Sequence, residues 1–410
     1  MFFLQYDTAT LQTALLVNKA WYAEAIRVLW KKPPIAALSA LASSSISYDR
    51  RQFYADHVRE LSFNAAKGGS AGSNFYDVHF RRLRCIRIKG SCFPRHIPIG
   101  SEDLHIGQYL QPSVEEIDIT DVDFELCEYI FYLLEIRCPR LRILKMMCFS
   151  LEFPSTRLLK FLHTCKSLKK IDLVVTPFSA RDPFVIDDRL LMCLIHYNGL
   201  QYLFLSVCVS FEMLDRVFKR TERSQPFRDT RCIAITLESR ALPLLVTHVK
   251  SIPWLILMVT IQGSRISPFS YVGSLGNIGC LAFRFREGGE WPSNDFSMIK
   301  YLKNMLVLQI NSSKNDISFP ELTDEEFGSA FENMNLLAGV TFNVHSNLST
   351  TAIISVAVNC PNIRYFDMFG SFDLHNLQSI AKPLFPTLWK LTLTRLIEPE
   401  PGSRYQSVFS

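Results

Sequence analysis

Cys138-Pro-Arg-Leu-Arg-Ile-Leu-Lys-Met146 and Cys165-Lys-Ser-Leu-Lys-Lys-Ile-Asp-Leu173 carry one phrase, apolar-x-x-apolar-x-apolar, repeated after 27 residues. The apolar trio is Leu141, Leu144 and Met146 in the first copy and Leu168, Ile171 and Leu173 in the second. Extending the phrase both ways places its first position at Val58, Leu83, Val114, Leu141, Leu168, Leu200, Thr230, Trp254, Ile278, Met305, Leu337, Ile363 and Leu388, with every step between 24 and 32 residues. A self-similar period of 20 to 50 residues is the mark of a stacked repeat architecture. The copy at Thr230 is the weakest, since only Ile233 and Ile235 fit.

Alternation such as Ile86 with Ile88, or Leu203 with Leu205, puts apolar side chains on one face of a strand. Between these phrases the spacing changes to three and four, as in Leu158, Leu159 and Leu162, or Leu190, Leu191, Leu194 and Ile195, which is the signature of one helix face. A lone strand–helix unit cannot bury its apolar side, but stacked copies share a core, each contributing three or four side chains at roughly 1.5 to 3 kcal/mol apiece before entropy. The expected fold is therefore an α/β solenoid, a curved parallel sheet with helices outside.

The phrase, with Cys138-Pro139 and Cys360-Pro361 closing the preceding helices, resembles the cysteine-containing leucine-rich repeats of F-box proteins over about residues 55 to 396. In that family an Asn or Cys eight positions after the first anchor ties adjacent turns together. Only Cys208 matches here; Val122, Phe149, Thr176 and Gln262 occupy the equivalent places, so an Asn ladder is absent. Ahead of the repeats, Leu15-Leu-Val-Asn-Lys-Ala-Trp-Tyr-Ala-Glu-Ala-Ile-Arg-Val-Leu-Trp30 is similar to the second half of a fungal F-box. The family's Leu-Pro-x-Glu opening is not matched, so the likeness is to an F-box shortened at its N-terminus. The resemblance implies that Leu15, Leu16, Val17 and Trp21 dock a Skp-type adaptor of a cullin-RING ubiquitin ligase, while Leu29 and Trp30 pack the helices on the first repeats. The expected organisation is F-box-like helices over 1–34, a helix and connector over 35–56, a solenoid of about 12 to 13 irregular repeats over 57–396, and a tail over 397–410.

Composition narrows the function class. With 48% hydrophobic and 20% charged residues and 31 Phe, the chain is that of a well-buried protein. A net charge of +5 is mild beside the concentrated excess typical of nucleic-acid readers. Eleven cysteines form no Cys-x-x-Cys pair and lie mostly within apolar phrases, which reads as reduced core thiols of a cytoplasmic or nuclear protein. Neither a signal peptide nor a membrane-length apolar run is legible; Ile252 to Ile261 is too short to span a bilayer.

Motifs for chemistry are scarce. His163-x-Cys165 supplies two ligands where a closed zinc site needs four; Asp187-Asp188 and Glu325-Glu326 fit helix starts, Asp187 as a cap and Thr323 with Glu326 at capping-box spacing; and no nucleophile elbow or dinucleotide fingerprint occurs. The Gly-rich stretch Ala65 to Asn74 lacks the Gly-Lys-Ser/Thr ending of a phosphate cradle and reads as a linker. No metal, cofactor or catalytic residue is expected, and no nucleic acid or membrane partner. Arg81-Arg-Leu-Arg-Cys-Ile-Arg-Ile-Lys89, the densest basic stretch, reads as the solvated side of a strand. Residues two, four and six places after each anchor fall on the hollow side of such a sheet. There the band Ile143, Lys145, Met147, Lys170, Asp172, Tyr202, Phe204, Ile256 and Met258 is the expected target contact. The resulting expectation is the substrate-recognition subunit of an SCF-type ubiquitin ligase; the alternative is a repeat scaffold with no ligase association.

Overall fold

The computed structural model describes residues 8–41, 43, 45–64, 77–89, 105–122, 124–148, 155–175, 186–220, 225–261, 267–286, 288–292, 296–312, 317–332, 334–373, 377 and 384–397. The Gly-rich stretch and the tail expected beyond residue 397 lie outside them. The chain falls into two compact units, residues 1–206 and 207–410. Both are built from parallel-strand repeats of the leucine-rich type, with each strand hydrogen-bonded to the next repeat's strand.

In the first unit, helices α1 (Thr8–Ala14), α2 (Lys19–Leu29), α3 (Ile35–Leu41) and α4 (Tyr48–Ala55) precede strands β1 (Glu60–Asn64), β2 (Cys85–Lys89) and β3 (Glu116–Thr120). Then α5 (Phe124–Arg137), β4 (Ile143–Cys148), α6 (Ser155–Thr164), β5 (Lys170–Val175) and α7 (Asp188–Ile195) alternate up to β6 (Tyr202–Val209). Registers run without slippage: Ile86 pairs with Ile117, Ile117 with Leu144, Leu144 with Ile171, and Ile171 with Leu203. The second unit has β7 (Cys232–Glu238), β8 (Trp254–Ile261), β9 (Ile278–Phe285), β10 (Gly289–Glu290), β11 (Val307–Ser312), β12 (Ile317–Phe319), β13 (Gly339–Asn343), β14 (His345–Ser346), β15 (Tyr365–Asp373) and β16 (Lys390–Ile397). Strands β7-β8-β9-β11-β13-β15-β16 form its main sheet, and β10-β12-β14 a small second one.

The apolar phrase sets the core. Leu141, Leu144, Met146, Leu168, Ile171 and Leu173 are all buried, as are the corresponding trios at Leu83, Val114, Leu200, Met305, Leu337 and Ile363. Most turns are handed to their strand by one repeated bond: the anchor's N–H donates to the carbonyl three residues back, as in Leu83 to Phe80, Leu141 to Cys138, Met305 to Leu302 and Ile363 to Cys360. A second bond repeats between copies. The carbonyl one residue past the anchor accepts two successive N–H groups from the next repeat: Arg84 takes Glu115 and Glu116, Arg142 takes Lys169 and Lys170, and Leu306 takes Ala338 and Gly339.

A side-chain ladder does exist, at a place other than the one the Asn pattern specifies. The residue just before the anchor reaches back to carbonyls of the previous turn. Ser167 Oγ donates to Leu141 O (2.7 Å) and Pro139 O (3.0 Å), Asn304 to Gly276 O (2.8 Å), Asn362 to Asn335 O (2.7 Å), and Thr387 to Ile363 O (2.8 Å). Cysteine thiols add weaker links, Cys138 to Gln111 O at 3.5 Å and Cys360 to Phe331 O at 3.7 Å. Burial pushes both thiols up to about 12, so they stay protonated donors. The cysteines among the described residues are free.

Several expectations need correction. Trp254 is not a core anchor: it shares the outward face of β8 with Ile256 and Met258, and Ile252 takes the buried place. The ring lies over Gly279, where any Cβ would sit 2.1 Å from it, and the β8–β9 register shifts between Leu255 and Ile256. Between β11 and the next helix, Ile317 and Phe319 of β12 alternate inward, and Phe319 packs against Phe296. The connector expected after residue 47 holds α4. The phrase at Leu388 leaves Leu391 exposed. Finally the first rung precedes Val58: Lys31 O accepts the N–H groups of Arg59 and Glu60, so Trp30-Lys31-Lys32 occupies the place of a repeat. The capping expectations at Asp187 and at Thr323 with Glu326 hold.

The ladder makes a measurable contribution. Ser167→Ala removes two bonds to turn carbonyls of the preceding repeat and is expected to destabilise the protein by about 1 kcal/mol in denaturant titration. The same change at exposed Ser270, whose hydroxyl bonds within its own turn, is expected to shift stability by less than about 0.5 kcal/mol.

Candidate functional site

Two surfaces of the first unit carry the residues singled out by the sequence. In α1 and α2, Leu11, Ala14 and Ala25 form a small core, with Leu15, Val28 and Leu29 packed against it. Asn18 caps α2 by accepting the Trp21 N–H at 3.0 Å. The chain between the helices is wound by bonds from Leu16 to Thr13 and from Val17 to Ala14, which turn both side chains away from that core. Leu16 is 86% exposed, Val17 60% and Trp21 40%. Of the four expected docking residues three are thus outward-facing, while Leu15 is half-buried because it completes the helix–helix contact. Trp30 stacks on Tyr54 with ring centroids 4.4 Å apart, so α2 is fixed to α4 and to the first rung.

The outward strand face consists of rows set by register. One row reads Glu60, Cys85, Glu116, Ile143, Lys170 and Tyr202, and the next Ser62, Arg87, Asp118, Lys145, Asp172 and Phe204. Met147 stands in a third row between Thr120 and Val174. The expected residues Ile143, Lys170 and Tyr202 are therefore strand neighbours, as are Lys145, Asp172 and Phe204. Tyr202 is exposed, and the other five, like Met147, are half-buried. Ile256 and Met258 belong to the second unit, where they stand beside Cys280 and Ala282.

Charge on the first-unit face is laid out as a ladder that the sequence reading passed over. Glu60 meets Lys32 at 2.5 Å and also Arg87, Arg87 lies 3.9 Å from Asp118, and Lys145 Nζ donates to Glu116 at 2.6 Å. That bond raises the Lys145 pKa. Glu60 and Glu116 stand two places after Val58 and Val114, so applying the two-places rule to those earlier anchors finds them. The basic stretch at Arg81–Lys89 is partly neutralised, with Arg87 in this ladder and Arg84 3.5 Å from Glu115.

Asp172 departs from the pattern. Its Oδ1 is buried without a hydrogen-bond partner, and burial raises its pKa above the ordinary value despite Lys170 and Lys145 nearby. Beyond it the face turns aromatic at Tyr202 and Phe204. In the second unit, Tyr365 OH donates to Asp367 at 2.9 Å, Asn343 reaches the same carboxylate at 3.3 Å, and Lys390 lies over the Tyr365 ring at 5.2 Å. Among the described residues no group of three or more His, Cys, Asp or Glu side chains could hold a metal ion, and no helix is long and apolar enough to cross a membrane.

Neither a protein-family model nor a curated protein matches the chain. Among solved structures, the complex of Rad7 and Elc1 in yeast is similar, at 12% identity over 91% of this chain and 90% of that chain, with a TM-score of 0.38.

The Asp172 environment has a defined pH signature. Because its folded-state pKa lies above the unfolded one, the fold favours the neutral acid; that contribution is complete below the unfolded pKa and is lost as pH rises through the folded value. Asp172→Asn is therefore expected to raise Tm at pH 7, on the order of 1–3 °C, with the gain vanishing as pH falls toward the ordinary aspartate range.

Proposed function

We propose that the protein is a non-catalytic recognition subunit of an SCF-type cullin-RING ubiquitin ligase. The observation that carries this reading is the exposure of Leu16, Val17 and Trp21, three large apolar side chains grouped between and on helices whose contact is made by buried Leu11, Ala14 and Ala25. Exposed apolar groups with no core of their own are the usual material of a partner contact. In this reading they dock a Skp-type adaptor, and the outward strand face around Tyr202 and Phe204 holds the target while other subunits transfer ubiquitin. The chain then acts by holding two proteins, with no cofactor and no reacting side chain of its own. The free thiols support a reducing compartment, cytoplasm or nucleus.

Co-purification with a Skp-type adaptor tests the first half. Wild-type protein is expected to retain the adaptor, and Leu16→Asp with Val17→Asp to lose it; Trp21→Ala is expected to weaken it by roughly tenfold or more. All three positions are exposed, so Tm should stay within about 1 °C of wild type. Failure of the wild type to retain any adaptor selects the repeat scaffold without ligase association. For the second half, Tyr202→Ala with Phe204→Ala is expected to abolish target capture in cells while preserving adaptor binding; a collapse in Tm instead assigns these rings to the core.

A further inference from the structure

The turns that lead into the strands of the first unit carry positive charge that the fold does not require. The residue after the anchor joins neighbouring repeats through its backbone, its N–H donating to the previous copy and its carbonyl accepting two N–H groups of the next, as at Arg84 and Arg142, so this bonding does not use its side chain. In the first unit that position holds Lys31, Arg59, Arg84, Glu115, Arg142, Lys169 and Gln201, of which all but half-buried Glu115 and Gln201 are exposed. The second unit places Leu306, Ala338 and Arg364 there with the same paired bonds, so the backbone geometry does not require a base. The six first-unit turns at 55–59, 80–84, 111–115, 138–142, 165–169 and 197–201 hold eight Lys or Arg against two Asp or Glu, an excess of six. The whole chain has a net charge of only +5. Charge has been concentrated on this edge. Arg84 meets Glu115 at 3.5 Å, whereas Arg59, Arg140, Arg142 and Lys169 have no ion-pair partner among the described residues.

We propose that this edge docks an acidic peptide segment of a protein partner. The inference rests on reading the protein as a recognition subunit and supplies the chemistry of its target. Adjacent strands lie about 4.8 Å apart, so four steps from Arg59 to Lys169 cover about 19 Å. An extended peptide spans that length with about six residues. Glu115 in the middle of the row distinguishes the possible polyanions: a nucleic-acid strand would set a phosphate against it, while a peptide places a neutral residue there. The row also lacks the aromatic platforms on which single-stranded bases stack. It adjoins Lys170 and Tyr202 at the strand starts, so a segment held here continues onto the outward face.

Fluorescence anisotropy on the full chain tests this, with a fluorescein-labelled peptide carrying two Glu-Glu pairs separated by glycine as the probe. Wild type is expected to bind it, with affinity falling as added salt screens the charges. Arg142→Glu with Lys169→Glu is expected to raise Kd at least about tenfold, where removing one such contact at a protein interface already has large effects. Arg142→Gln with Lys169→Gln provides a milder variant should charge reversal fail to fold, and Lys303→Glu with Arg364→Glu in the second unit should change Kd less than about twofold. Absence of binding, unchanged binding by both first-unit variants, or tighter binding of an oligothymidylate or of phosphatidylserine vesicles overturns the proposal. Adaptor retention measured in parallel separates the two readings: peptide bound without adaptor sinks the ligase assignment alone, and adaptor bound without peptide sinks this one alone.

Discussion

Two backbone bonds, one closing the turn into each strand and one passing from that turn to the next repeat, constrain the rest of the structure. When Arg84 O accepts from both Glu115 and Glu116, or Leu306 O from both Ala338 and Gly339, the start of each strand is fixed against its predecessor before any side chain contributes. Buried carbonyls and N–H groups must be paired, and a parallel sheet offers no hairpin to set its register. The forked carbonyl does that work. Once the turn is set, the apolar trio has only one face to enter, and the intervening residues are placed on the outward face whatever their chemistry.

This separation of backbone and side-chain duties explains how an irregular sequence keeps a regular course. Repeat lengths differ by several residues, with the extra length between β5 and α7 in the step from Leu168 to Leu200 and between the helix Phe211–Arg220 and β7 in the step from Leu200 to Thr230, yet the closing turn is kept at both Leu200 and Thr230. The ladder of Ser167, Asn277, Asn304, Asn362 and Thr387 secures the same turns from their outer side, donating to carbonyls of the preceding copy. Thiols at Cys138 and Cys360 reach those same turns from within. Such devices make the strand face a stable platform on which charge, aromatic rings and open polar networks can be varied independently. The first unit varies it with ion pairs and the partnerless Oδ1 of Asp172; the second with Trp254, Ile256 and the Tyr365–Asp367 cluster.

The repeat itself was legible because its period is a property of the chain. A trio such as Leu141, Leu144 and Met146 can lie on one face only in an extended strand, and its recurrence compels stacking. The helix caps at Asp187 and Thr323 were legible for a similar reason, since they depend on neighbours within three residues. Trp254 was misplaced because an apolar side chain at strand spacing fits either face of a sheet. Only the register against Gly279, which leaves room for an indole, puts it outward. Leu15 was read with Leu16 and Val17 because one resemblance covers all three, yet the crossing of α1 and α2 consumes it and releases the other two.

Sequence alone therefore determined what is periodic or local: the strands, most of their inward residues, the caps, and the rows on which outward residues fall. Tertiary structure decided everything that depends on which copies meet. It converted Trp30-Lys31-Lys32 into the first rung, assigned Glu60 and Arg87 to each other, buried one oxygen of Asp172 without a partner, and moved the side-chain ladder to the residue before each anchor. The physical reason is one of range. Alternation and capping are fixed by bonds within a few residues, whereas pairing across repeats joins atoms about 27 positions apart, and its outcome depends on the spacing of backbones that only stacking sets.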